Sequence, residues 1–407
     1  MSPATAEAPR TRPSIPGGVW ALGLVSLFMD VSSEMVHALL PVFLVTVLGA
    51  SVTTVGFLEG IAEATASITK VFSGTWSDRL GKRKALTVLG YGLAAFTKPL
   101  FALAPTTAWI FGARFADRVG KGIRGAPRDA LMADLTPPEI RGAAFGLRQT
   151  LDTIGAFAGP MLAIALMALT GNQFRTVFWF AVIPAFVSVA LLVLFVREPE
   201  RAPHANGKGR IAWREVFGAL GSTYWWVVLV ATLFTLARFS EAFLVLKVTD
   251  VGVGAALVPI VLVIMNVVYA LSAYPAGWIS DRVGRWGVLA AGAAALVVAD
   301  VVLAVARSPT TALAGVAIWG LHMGFTQGLF AALVADVAEP KQRGTAFGVF
   351  NLVTGLALLV ASVLAGALWD AGGAQLAFVA GAGLTSFAGI ATLVLYASGR
   401  LPSRRTA

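Results

Sequence analysis

The chain has 407 residues, of which 57% are apolar and only 13% charged, with a net charge of +10 and no cysteine. Soluble domains carry about 25% charged residues, so a mean hydropathy of +0.79 places much of this chain against lipid or other apolar helices. The missing cysteines exclude disulfides, thiol catalysis and Cys-ligated metal, and the basic excess sits in short loops between apolar runs, which fits membrane topology rather than nucleic-acid binding.

Residues 1–18 form a polar, Pro- and Ala-rich tail without a signal-peptide cleavage pattern, so the first apolar run is expected to stay as a helix. A bilayer core needs about 20 apolar residues per helix. The apolar runs predict an all-α membrane protein with twelve spans: 19–48, 54–73, 85–104, 107–134, 142–170, 174–196, 218–247, 254–276, 287–306, 311–337, 343–369 and 375–397. The stretch 197–217 is rich in Pro, Gly and charge. It reads as a linker between a six-helix bundle over 19–196 and a second over 218–397, with a tail over 398–407. Lys and Arg collect on one side of these spans, at Arg79, Lys82, Arg83, Lys84, Arg141, Arg282 and Arg285 and in the linker and C-terminal tail. By the positive-inside rule both termini and the linker face the cytoplasm of a cell membrane.

The halves are related in sequence. Residues 74–84 read GTWSDRLGKRK and residues 277–285 read GWISDRVGR, both of the form G-x-x-S-D-R-x-G-[KR], with Asp78 and Asp281 203 positions apart. A second pair, Ala133-Asp134 through Arg141-Gly142-Ala143-Ala144-Phe145-Gly146, returns at an offset of 202 as Ala335-Asp336 through Arg343-Gly344-Thr345-Ala346-Phe347-Gly348. Each copy of the first motif reads as a short charged loop after the second span of its half. Paired bundles with a site between them near mid-membrane are the expected architecture.

The repeated loop resembles the signature of the major facilitator superfamily, G-x-x-x-D-R-x-G-R-[KR]. The resemblance covers roughly residues 18–398. It implies a secondary transporter with two pseudo-symmetric six-helix halves. It also implies a conformational latch carried here by Gly74, Asp78, Arg79 and Gly81 and by Gly277, Asp281 and Arg282. An anion near a helix N-terminus gains about 0.3–1 kcal/mol, enough to bias two rigid arrangements.

Ionisable residues inside a bilayer cost about 2.5–3.5 kcal/mol each, so those within spans are functional candidates or structural partners. Span one holds Asp30, Glu34 and His37, whose spacings put them on one helical face. Two acids and a histidine there suit proton uptake and release; a fixed salt-bridge role is the alternative. Span two carries Glu59, Glu63 and Lys70 on one face, and the two acids are placed in the outer half either to accept a cation or to pair with basic residues of span four. Lys98 in span three reads as a snorkelling lysine. Span four carries Arg114, Asp117, Arg118, Lys121, Arg124, Arg128 and Asp129. Its Arg118-Val-Gly-Lys-Gly resembles the family's R-x-x-Q-G, with Lys121 in place of Gln, and this implies a proton-coupling arginine at Arg118 or Arg114. In span five Arg148 and Asp152 form an i,i+4 pair. Gly155-Ala-Phe-Ala-Gly159-Pro160 resembles the G-x-x-x-G-P motif of drug antiporters, which implies proton-driven export.

The second half is largely neutral. At an offset of 202, Arg118, Lys121, Arg124 and Arg128 become Gly320, Met323, Thr326 and Phe330. Its polar candidates are Arg238, Glu241, Asn266, Tyr269, Asp300, His322, Gln327 and Asn351, with His322 expected to face His37 across a cavity. Charge handling in the first half and neutral substrate contacts in the second is the division expected.

No phosphate-binding loop, HExxH or CxxC occurs, so neither an enzyme nor ATP-driven transport is expected. No cofactor or metal is expected, with a proton gradient as the energy source. The expected partners are a small-molecule substrate, protons and membrane lipids, not nucleic acid, for a monomeric protein. The leading expectation is proton-coupled export of a small organic compound. One alternative is an organic anion or phosphate ester held by a clamp of Arg114, Arg118, Lys121 and Arg148, which fails if the acids of spans one and two neutralise those cations. Another, of a different class, is a transporter-like sensor or lipid-handling protein.

Overall fold

The computed structural model describes residues 15–80, 82–198, 220–339 and 343–401, which are helical with no strand among them. In lipid every backbone polar group must be satisfied within its own segment, which leaves the helix as the form open to long apolar runs like these. The first half contains α1 (Gly17–His37), α2 (Val52–Leu80), α3 (Arg83–Leu103), α4 (Thr107–Leu135), α5 (Arg141–Leu169) and α6 (Phe174–Phe195). The second contains α7 (Ser222–Ala237), α8 (Ala242–Asp250), α9 (Ile260–Val283), α10 (Arg285–Val305), α11 (Pro309–Val337) and α12 (Arg343–Ala397). Among the described residues nine stretches are long and apolar enough to cross a membrane. The charge-rich α2 and α4 are not among them, and the last stretch, Thr345–Ala397, covers two arms of one helical segment.

Four details differ from the sequence expectation. The run from Gly74 to Leu80 is the last two turns of α2 rather than a loop, and 277–283 likewise closes α9. Neither stretch holds a proline, and in the second copy the chain leaves the helix at Gly284, whose φ of +107° only glycine adopts readily. The seventh span is broken: α7 ends at Ala237, Arg238 is extended, and α8 begins at Ala242. The eighth starts late, at Ile260, after a turn at Gly252 with φ +95°. The last two spans are one segment that kinks at Gly372 and Gly373. Beyond the kink, Gly381 lies against Asp300 and Gly389 against Ala293, so the second arm runs antiparallel to α10.

The buried apolar residues show how the halves meet. At the end of the bundle away from the D-R-x-G motifs, one core joins both halves, from Met35 and Phe43 through Leu58 to Phe243, Val261 and Trp319. At the motif end there are two cores. One, with Leu22, Tyr91, Leu131 and Leu192, belongs to the first half. The other, with Tyr224, Leu289, Leu333 and Ala388, belongs to the second. The buried apolar core is therefore shared by the two halves at one end and separate at the other, although α2 and α12 still touch toward the motif end, where Gly348 lies against Val71.

Asp370 contributes to that seal. It lies at the end of the first arm of α12, and its two carboxylate oxygens accept the backbone N–H groups of Val52 (3.1 Å) and Thr53 (2.9 Å) at the start of α2. An acid of the second half thus caps a helix of the first, which satisfies otherwise orphaned donors and favours the positive end of the helix dipole.

The repeated motifs also find each other. Arg83, first residue of α3, reaches Asp134 near the end of α4 at 2.6 Å. Arg285, first residue of α10, reaches Asp336 near the end of α11 at 2.5 Å. Each half is pinned at the motif end by the same pair. Gly81 lies outside the described residues, as do the side chains of Gly74, Asp78, Arg79 and Asp281. Of the remaining latch positions, Gly277 has open space beside it, and the exposed Arg282 stacks on the Trp278 ring at 3.3 Å.

Candidate functional site

The charged residues of the first half converge where α1, α2, α3, α4 and α5 meet, and most of them close on one another. Arg114 of α4 donates to Glu59 of α2 at 2.8 Å, with both side chains buried. One turn further along the same two helices, Arg118 meets Glu63 at 3.1 Å. The i,i+4 spacing of each partner sets this ladder. Lys98 does not snorkel: it is buried and donates to Asp117 at 2.9 Å and to Ser33 at 3.1 Å. Its carbon chain lies inside the bundle, so the nearest anion is a helix away rather than at a lipid headgroup. His37 sits between two acids, 3.4 Å from Glu34 and 3.8 Å from Glu59.

Nearer the motif end, Arg128 donates to Ser26 of α1 at 3.0 Å and pairs with Asp129 at 3.0 Å. Arg124 lies over the ring of Tyr91, its guanidinium carbon 4.6 Å from the centroid, a favourable position for a cation. Arg148 donates to Asp152 at 2.6 Å, the i,i+4 pair read from the sequence. Lys121 is exposed and has no ion pair among the described residues.

Asp30 is the exception among these acids. Glu34, Glu59, Glu63, Asp117, Asp129 and Asp152 each have a cationic or histidine partner within 4.0 Å. Asp30 is partly buried on α1 and has none among the described residues. What presses on it is a glycine. A Cβ added at Gly155 would lie 2.9 Å from the Asp30 Cβ, and one at Gly159 would lie 2.7 Å from the Glu34 Cβ. The G-x-x-x-G spacing of α5 therefore lets α1 approach closely at the two acids on its polar face.

The second half supplies a cavity of about 280 Å³. Arg238, Phe234 and Thr235 line it from α7 and its break, His322, Thr326, Gln327 and Phe330 from α11, Phe350, Asn351 and Thr354 from α12, and Glu63 and Ser67 from α2. The break at residues 238–241 is held by serines: the Ser240 N–H donates to Ser362 Oγ at 3.2 Å, and the Ala242 N–H to Ser240 Oγ at 3.3 Å. Broken helices at a repeat interface present polar groups at membrane depth. Here the break presents Arg238, whose buried Nη1 has no hydrogen-bond partner.

His322 lines this cavity and His37 does not. The His322 ring is buried and bonds Gly292 O of α10 through Nδ1 at 2.8 Å, an anchor within its own half. Asn266 and Tyr269 do not line this cavity; Tyr269 packs on the core shared by the two halves. Glu241, at the α7 break, interacts at longer range with His37, Arg238, Glu34 and Glu63 and has no ion pair among the described residues. Asp300 is completely buried beside Gly381, away from the cavity, and neither of its oxygens has a hydrogen-bond partner. Sequence reasoning missed Asp370, the serine-held break and the Lys98–Asp117 pair. The spacing of Lys98 and Asp117 on consecutive spans was the one available signal for the last of these.

The family model described as Major Facilitator Superfamily matches residues 22–249 and 242–407. An uncharacterised MFS-type transporter of Methanocaldococcus jannaschii is 31% identical over 385 residues, covering 93% of this chain and 94% of that protein. A gentisate transporter of Corynebacterium glutamicum is 29% identical over 338 residues, 78% of this chain and 74% of that one. Multidrug resistance protein 1 of Bacillus subtilis is 26% identical over 236 residues, 58% and 59% of the two chains.

Proposed function

The chain belongs to the major facilitator superfamily, a multi-pass membrane transporter rather than an enzyme, and from that premise we propose that it exports a small organic compound in exchange for protons. The observation that carries this reading is Asp30, the one acid of the first-half network without a partner among the described residues. A carboxyl already closed by an arginine gains little from a proton. One that is partly buried, unpartnered and pressed by the α5 glycines can take a proton in one arrangement of the halves and lose it in the other. Glu34, held by His37, is the second candidate and the natural relay. Similarity to a multidrug resistance protein supports the direction.

The clamp reading loses its footing. Arg114, Arg118 and Arg148 are each closed by a carboxylate, leaving Lys121 alone of the four proposed cations. In the positive-inside orientation the motif end would be cytoplasmic, and an arrangement with separate cores at that end would be the inward-facing one. Alternating access then requires the outer core to part and the motif ends to close.

The test is an imposed proton gradient. Purified protein in liposomes should drive concentrative movement of a small aromatic or apolar compound in exchange for protons when the gradient is applied, and a protonophore should abolish it. Equal rates with and without the gradient would remove proton coupling from the account, whatever compound moves.

A further inference from the structure

The charges lining the second-half cavity are not balanced. Arg238 is the only lysine or arginine among its lining residues, and it has no carboxylate within 4.0 Å among the described residues. The only acid there, Glu63, is committed to Arg118. The lining is therefore cationic by one guanidinium with no carboxylate in contact, Glu241 acting on it only at longer range, and at the helix break it favours a planar anion that it can bind through two parallel hydrogen bonds.

Two further features shape the partner. Phe234 and Phe330 meet edge to face with ring centroids 5.3 Å apart, and Phe350 completes an aromatic lining. His322 spends Nδ1 on a carbonyl oxygen, which can only accept, so Nδ1 carries the proton. In the neutral ring that leaves Nε2 as an acceptor. The cavity volume of about 280 Å³ lies at the small end of ligand sites, which suits a compound of one or two rings.

We propose that this wall is the substrate subsite for a small hydroxylated aromatic acid, with its carboxylate on Arg238, its ring among Phe234, Phe330 and Phe350, and its hydroxyl donating to His322 Nε2. Gln327 and Asn351 supply the remaining polar contacts. The proposal names a substrate class for the transport reading above and rests on it only for the direction of movement.

The test is equilibrium binding to the purified protein by calorimetry, with meta-hydroxybenzoate, benzoate, benzyl alcohol and benzylammonium as probes. The expected order is meta-hydroxybenzoate, benzoate, benzyl alcohol, with benzylammonium weakest. Arg238→Gln should weaken both acids by about ten- to a hundredfold, the range of a charged hydrogen bond, while benzyl alcohol keeps its affinity and so reports an intact fold. Arg238→Lys should recover part of the loss. His322→Gln should reduce the advantage of meta-hydroxybenzoate over benzoate without changing benzoate itself. Acids that bind no tighter than benzyl alcohol, or an Arg238→Gln loss equal for all probes, would overturn the assignment. Proton-driven transport of a neutral or cationic compound that Arg238→Gln leaves untouched would also overturn it, with the antiport reading intact. Arg238-dependent binding of the acids without proton-driven movement would keep the subsite and remove the antiport reading.

Discussion

The two halves of this protein share a repeat and a set of pinning contacts but handle charge in opposite ways. The first half buries a ladder of ion pairs in which almost every acid meets a base, with Asp30 left over. The second half carries glycine, methionine, threonine and phenylalanine at the positions of Arg118, Lys121, Arg124 and Arg128, and among the described residues Arg238 at the cavity, Glu241 at the α7 break and Asp300 in the packed interior stand without an ion pair. The backbone plan sets where a helix lies. Whether its buried polar groups are structural or available for chemistry depends on whether they are paired, and pairing differs between the halves.

That contrast can be broken by single substitutions, and the largest effect is expected in the first half. Arg114→Met leaves the buried Glu59 with only His37, 3.8 Å away, beside it and should destabilise the protein by about 3–5 kcal/mol, read as a lower Tm in detergent. The double variant Arg114→Met with Glu59→Leu should recover most of the loss. If the single variant is neutral, the ladder is ornamental. Next, Gly159→Ala forces a methyl group to within 2.7 Å of the Glu34 Cβ. Overpacking of this kind costs about 1–3 kcal/mol and should slow proton-driven transport together with the loss in Tm; Gly146→Ala on the same helix, with open space around it, is the control.

Asp370→Ala removes the cap that joins the halves. The loss of a helix cap is about 0.5–2 kcal/mol, and because it spans the seam it should appear as a shift between states. The chain has no native cysteine, so a single cysteine at Ala365, buried in the shared core, should label faster with a membrane-impermeant thiol reagent in the Asp370→Ala background. Unchanged labelling would reduce the contact to local capping. The smallest effect, of opposite sign, belongs to the second half. Asp300 has no hydrogen-bond partner among the described residues, so Asp300→Val should stabilise the protein by about 1 kcal/mol, the cost of an unsatisfied buried polar group. A large destabilisation there would mean that Asp300 has a structural partner after all.

Much of this was legible in the sequence, for physical reasons that differ by element. The helix ends of α4, α5 and α6 fall within a residue of the expected spans because polar turns bound long apolar runs there. The Glu59 and Glu63 pairing with α4 followed from helical spacing, and so did Arg148 with Asp152. The break at residues 238–241 was not legible, because Arg-Phe-Ser-Glu contains neither proline nor glycine and the break depends on Ser362, over a hundred positions away. Lys98 was misread because a lone lysine in an apolar run looks the same whether its anion is a headgroup or Asp117. Asp370 looked like an ordinary loop acid; only the packing of α12 against α2 brings it to Val52 and Thr53.

Everything proposed for transport turns on Asp30 as the group that carries the proton. The most direct measurement compares gradient-driven transport with counterflow in liposomes for the native protein and for Asp30→Asn. Asp30→Asn should lose gradient-driven accumulation and pH dependence while retaining counterflow, since substrate exchange needs no net proton movement. Gradient-driven transport that survives in Asp30→Asn, and is lost instead in Glu34→Gln, would contradict this and move the proton to the acid that His37 holds.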